Sequence, residues 1–154
     1  MRRPTKDLLY VSVQLVLFLL YFLVPPIVGW HLFNWLKLLL IVIAGFGIVI
    51  SGITILQLNK NLTPFPSPVR GGTLITSGMF KWVRHPIYSG LILFFSAYAV
   101  YSGSGGKLLT ALLITILFYF KSAYEESQLE KAYPLYPAYK QRTGRFFPKL
   151  PLRV

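Results

Sequence analysis

The sequence contains no cysteine and only four acidic residues among its 154, against sixteen lysines and arginines. Without cysteine there are no disulfides and no thiolate metal sites. The two histidines, His31 and His85, are far apart, and no His/Asp/Glu grouping stands at metal-ligand spacing, so no metal is expected. G-x-S-x-G, P-loop and G-x-G-x-x-G patterns are missing too, which argues against hydrolase, ATPase and Rossmann chemistry. Charge itself is absent from long stretches. Residues 8–36 and 38–59 carry none apart from neutral His31, and 85–106 carry none apart from His85.

What is present is apolar: 55% of residues are hydrophobic, 16% aromatic and only 13% charged. A run of about 20 apolar residues spans the hydrocarbon core of a bilayer as a helix. The chain therefore reads as an all-α integral membrane protein of about four transmembrane helices, in one domain: a helical hairpin over 1–58 and a second part over 59–154. Met1 to Lys6 before an apolar run looks like a signal peptide, but the run is too long and ends in Pro25-Pro26 rather than a small-residue cleavage site. It reads as a first helix that is retained.

Helix 1 is expected over Leu8 to Val28, with Ser12 and Gln14 its only strongly polar interruptions and Pro25-Pro26 ending or bending it. Trp30 and Trp35 flank a short turn as interfacial anchors. Helix 2 is expected over Leu36 to Leu58, where Gly45, Gly47, Ser51 and Gly52 permit close helix contact. Pro64, Pro66 and Pro68 keep the next segment extended. Helix 3 is expected from Pro86, which has no N–H to lose at a first helical position, to about Tyr101. Helix 4 should start near Lys107 and end at Tyr133-Pro134, but its charge-free run, 108–120, is short for a span. A short helix from Pro137 to Arg142, stopped by Gly144, should follow.

The basic residues set an orientation. Three precede helix 1, four lie in 59–84 and seven follow residue 120, whereas Lys37 and Lys107 fall in the opposite turns. The positive-inside rule then places both termini, the 59–84 loop and the 121–154 segment on the cytoplasmic face of a multi-pass protein. The net charge of +12 is thus explained by a membrane and needs no nucleic acid partner. Every candidate for chemistry lies in those two segments. Arg84-His85-Pro86-Ile87-Tyr88 puts a cation and an imidazole at a helix N-terminus, which attracts anions. The plainer reading is a basic–aromatic interfacial anchor. Glu125, Glu126 and Glu130 gather three of the four acids at the membrane boundary, where unpaired carboxylates are costly and a cationic ligand would suit them. The plainer reading there is a solvated helix face with a Lys121–Glu125 pair at i,i+4. Tyr133, Tyr136 and Tyr139 stand with Lys140, Arg142 and Arg145, where contact with membrane lipid headgroups is the strong plainer reading; for Lys140, Lys149 and Arg153 it is the default.

Taken together, Thr73-Leu-Ile-Thr-Ser-Gly-Met-Phe80, Arg84-His-Pro-Ile-Tyr-Ser-Gly90, Glu125-Glu-Ser-Gln-Leu129, Tyr136-x-x-Tyr139 and Arg142-Thr-Gly-Arg145 resemble the isoprenylcysteine carboxyl methyltransferase family. Related phospholipid N-methyltransferases share parts of the pattern. The resemblance implies an integral membrane enzyme, with a cytosolic-face pocket for S-adenosylmethionine formed by the 59–88 loop and the C-terminal segment. It implies cofactor contacts from Gly72, Thr73, Leu74, Ile75, Phe80, His85, Pro86, Ile87, Tyr88, Glu125 and Glu126. Lys121 and Arg142 are implied on the catalytic side, facing a lipophilic, membrane-resident acceptor, either an isoprenylcysteine-type carboxylate or a lipid headgroup. Two positions depart from the pattern: Phe80 replaces a tyrosine, and Lys121 replaces an arginine. A lysine is a point charge and cannot grip a carboxylate bidentately. The competing class is a non-catalytic four-helix membrane protein that binds anionic lipid through its basic face.

Overall fold

The computed structural model of the chain describes residues 4–25 and 28–149. Arg2, Arg3, Pro26 and Arg153, which carry part of the charge and turn expectations, lie outside the described residues. Among the described residues five α-helices follow one another: α1 (Thr5–Leu23), α2 (Asn34–Leu58), α3 (Pro86–Tyr101), α4 (Gly105–Ala132) and the short α5 (Tyr136–Arg142). Single 3-10 turns cover Asn59–Asn61 and Gly78–Lys81. No strand is formed among the described residues.

Three of these helices are long and apolar enough to cross a membrane: Thr5–Leu23, α2 continued to Asn61, and Gly105–Ala132. Large apolar side chains such as Leu15, Phe22, Phe46, Leu56, Leu112 and Phe120 are exposed along them. Water would not tolerate so much contiguous apolar surface, whereas hydrocarbon does. The short helix is α3 rather than α4. At 16 residues and about 1.5 Å per residue it reaches only about 24 Å. α4 does not stop at its charges, because Lys121 and Glu126 are buried against partners and the helix runs on through 28 residues. Its start is fixed by Ser104, whose hydroxyl accepts the Lys107 N–H. α1 ends five residues before Val28. Val24 precedes Pro25 and is held in the extended region (φ −62°, ψ 126°), because a proline ring clashes with a helical residue before it.

α2 and α3 cross closely at two glycines. A Cβ on Gly90 would strike the Gly47 carbonyl and the Ser51 hydroxyl, and one on Gly47 would strike the Gly90 carbonyl and approach the Phe94 nitrogen to 2.9 Å. The Ser51 hydroxyl lies 3.0 Å from the Gly47 carbonyl and 3.2 Å from that of Ile87, so it joins both helices. Small residues and a shared hydroxyl are the usual means of holding helices together in lipid. Gly90→Val must therefore push the pair apart. A loss of about 1–3 kcal/mol is expected, visible as a lower thermal midpoint in detergent. The same substitution at Gly45, which meets nothing within 4 Å, should leave the midpoint unchanged.

The α1–α3–α4 core is aromatic. Tyr21, Phe95, Phe118 and Ile114 are fully or nearly buried together, and the Tyr21 hydroxyl donates to the Phe95 carbonyl at 2.7 Å. Trp30 is more than a lipid anchor. Its indole N–H donates to the Val100 carbonyl, and its backbone N–H donates to Gly103 (φ 64°) in the α3–α4 turn. At the other end, the 59–85 loop is tied down at several points. Gln57 clamps it, donating to the Ser77 carbonyl and accepting from the Met79 N–H. Asn61 accepts the Thr73 N–H, and Asp7 accepts the Ser67 N–H. The C-terminal segment then returns alongside. Arg84 and His85 donate their backbone N–H groups to the Gly144 and Arg145 carbonyls, and the Ser89 hydroxyl donates to that of Phe146.

Candidate active site

These connections enclose a cavity of about 390 Å³ between the loop, the start of α3, the end of α4 and α5. That volume lies within the range of small-molecule sites. Nine of the sequence-predicted residues line it: Thr73, Leu74, Ile75, Phe80, His85, Pro86, Ile87, Tyr88 and Glu125. Lys121 lines it as well.

Glu125 and Glu126 are adjacent and point in different directions. Glu125 keeps 26% of its side chain exposed and lines the cavity, where the Tyr88 hydroxyl donates to Oε2 at 2.9 Å. Glu126 is 1% exposed and does not line the cavity. Behind the wall it receives Arg84 Nε at 2.9 Å and His85 Nε2 at 3.2 Å on Oε1. Arg145 Nη2 (3.2 Å) and Lys140 Nζ (3.3 Å) reach its Oε2. Arg84 also donates through Nη1 to the carbonyls of Lys140 and Thr143. Glu126 is thus the knot that ties α4, the His85 turn and the tail together.

The knot also sets the state of His85. An ionised carboxylate only accepts, so the nitrogen facing Glu126, Nε2, carries the hydrogen. Nδ1 then faces Glu125 Oε2 at 3.8 Å, too far for a direct hydrogen bond. The imidazole stacks on the Tyr88 ring (5.4 Å, 3°) and Tyr88 stacks on Phe118 (4.6 Å, 11°). The imidazole is therefore held edge and face by the protein itself.

Lys121 is 1% exposed. Its ammonium donates to Gln14 Oε1 at 2.6 Å and to the Pro64 carbonyl at 2.8 Å, and it sits 5.5 Å from the centre of the Tyr88 ring. An ammonium has three hydrogens, so one remains for a ligand.

The remaining expected residues lie off the cavity. Gly72 stands behind its wall, where a Cβ would come within 2.8 Å of Asn61 Oδ1 and 2.9 Å of the Val69 carbonyl. It shapes the turn rather than lining the space. Arg142 is exposed at the end of α5 and lines no part of the cavity. Trp82 is 60% exposed and does not line it either. Conversely, Tyr133, Tyr136 and Tyr139, read from sequence as headgroup contacts, all form its wall. The Tyr139 hydroxyl donates to the Phe80 carbonyl at 2.6 Å, and burial pushes it up to about 12. Tyr133 closes α4, and only Tyr136 and Tyr139 stand three apart on α5, a spacing that gives a shared face but not its burial. Gln14, an amide interrupting an otherwise apolar helix, is another wall residue to which the sequence assigned no role.

Residues 34–135 match the family model described as phospholipid methyltransferase. The chain belongs to the phospholipid methyltransferase family. This is the family of the isoprenylcysteine carboxyl methyltransferase-like enzymes, as the R-H-P and E-E motifs suggested. The match takes in α2, α3, α4 and the loop between them, and with them most of the cavity wall. It stops before Tyr136 and begins after Gln14, so α1 and α5 lie outside it. No curated protein matches the chain.

Proposed function

We propose that the chain transfers a methyl group from S-adenosylmethionine to a lipophilic, membrane-resident acceptor, either a carboxylate of the isoprenylcysteine type or a lipid headgroup. The observation that carries this reading is the split between Glu125 and Glu126. One carboxylate is neutralised inside the wall, while its neighbour is kept in the cavity, ready for a cationic ligand. Bound there, that cofactor would supply a methyl on positive sulfur, which would pass to the acceptor's lone pair as the C–S electron pair stayed with the sulfur. Glu125, oriented by the Tyr88 hydroxyl, faces the cationic end. The first turn of α3 takes the carboxylate end, where free helix N–H groups favour an anion, while His85, its Nε2–H held by Glu126, turns an acceptor Nδ1 toward the Glu125 side. Thr73, Leu74, Ile75 and Phe80 cover the nucleoside.

The protein's contribution is orientation in a largely apolar cavity. Holding two reactants in line can supply about 7–11 kcal/mol of the barrier. Lys121 and Gln14 sit at the α1–α4 side, where an acceptor would arrive from the bilayer, and their polar pair fits its head. The basic loop and tail put this site on the cytoplasmic side by the positive-inside rule.

Purified protein incubated with methyl-labelled S-adenosylmethionine and a total lipid extract tests the reading, label in the organic phase being the expected result. A second expectation separates the acceptor side from the cofactor side. Lys121→Met keeps the buried stem but removes the ammonium. It should lower turnover by up to about 100-fold through a misplaced acceptor and leave S-adenosylhomocysteine affinity, measured by calorimetry, unchanged. Loss of both would put Lys121 in the cofactor wall instead.

A further inference from the structure

Among the described residues, two buried side-chain oxygens have no hydrogen-bond partner: Asp7 Oδ1 and the Tyr136 hydroxyl. Asp7 does not line the cavity; Tyr136 does. Tyr136 is 1% exposed and begins α5, where its own N–H is tied back to the Tyr133 carbonyl. Its ring meets that of Tyr139 edge-on (5.7 Å, 68°). Tyr139 has found the Phe80 carbonyl for its hydroxyl, but Tyr136 has nothing. A buried phenol without a partner costs the protein stability. Such a group in a cavity wall is explained if the partner arrives with the ligand.

The surroundings say what kind of partner. Burial is the main cause holding the Tyr136 phenol above its ordinary value, followed by the field of Glu126, and Glu125 adds to it. The group is therefore a neutral donor. An anionic partner would enter the field of both carboxylates, and the nearby Arg84 is already committed to Glu126 and to the carbonyls of Lys140 and Thr143. An uncharged acceptor meets no such opposition. The wall beside it is aromatic, with Phe80, Tyr133 and Tyr139, which suits a flat heterocycle.

We infer that Tyr136 is a ligand-binding residue whose hydroxyl donates a hydrogen bond to an uncharged acceptor on the nucleoside end of the cofactor. This rests on the S-adenosylmethionine reading above and adds a contact from α5, beyond the residues matched by the family. The test compares two probes that share the nucleoside, S-adenosylhomocysteine and 5′-methylthioadenosine, the second of which lacks the amino-acid end. Tyr136→Phe should weaken both by the same factor, about three- to tenfold, the worth of one neutral hydrogen bond. Because the variant removes only an unpartnered oxygen, the thermal midpoint of the ligand-free protein should stay level or rise. Unchanged affinity for both probes overturns the inference. So does weakening of S-adenosylhomocysteine alone, which would move the hydroxyl to the amino-acid end. A fall in the ligand-free midpoint also overturns it, since the hydroxyl would then be structural. If the unsubstituted protein binds neither probe, the cofactor reading itself fails and this inference goes with it.

Discussion

Glu126→Gln should unfold the assembly around the end of α4, lowering stability by about 3–5 kcal/mol, the cost of removing one partner from a buried ion cluster. The carboxylate receives Arg84, His85, Arg145 and Lys140 within 3.3 Å, and a glutamine would turn an amide donor toward several of them. Arg84 is the most exposed to this loss in energy terms, because its side chain is only 8% accessible and water cannot replace the missing charge. For a chain of this size the thermal midpoint in detergent should fall by roughly 10 °C. Proteolysis should then open the segment after Ala132 first, since that segment is held to the His85 turn by bonds the cluster orients. An unchanged midpoint would show that the tail is secured without the knot.

Glu125→Gln, one residue away, should do the opposite. The fold should survive, because Glu125 is not part of that cluster and a glutamine oxygen can still accept from Tyr88. Binding of S-adenosylhomocysteine should weaken by about 30-fold or more, the cost of removing one partner from a desolvated charge pair. Calorimetry in detergent measures it. Two neighbouring glutamates, identical in type, are thus predicted to separate folding from binding. A plain lipid-binding bundle gives no reason for such a split.

Much of this architecture was legible in the residues because the signals were local. Pro86 marks the start of α3, and the helix begins there. The charge-free runs located the helices, and the basic residues grouped the loop with the tail, which lie side by side in the fold. What escaped depended on partners distant in sequence. Helix 4 runs through its charges to Ala132, as its sequence indicated, but nothing near Lys121 in sequence shows that Gln14 and Pro64 satisfy its ammonium from other elements. Nothing in the pair Glu125-Glu126 tells which carboxylate faces a ligand, because successive helix residues point about 100° apart and only the packing decides. Tyr136 and Tyr139 looked like surface aromatics beside basic residues. Their burial comes from the return of the tail across α3, a long-range pairing that the tyrosines themselves do not encode.

The central claim is that the cavity holds the methyl donor through Glu125 and delivers its methyl to a lipid-phase acceptor. It is tested most directly by mixing methyl-labelled S-adenosylmethionine and total lipid extract with the unsubstituted protein and with Glu125→Gln, each shown to be folded by its thermal transition. Label should be extracted into the organic phase with the first and be lost with the second. Equal labelling by both proteins, or no labelling and no S-adenosylhomocysteine binding by the folded unsubstituted protein, would contradict it.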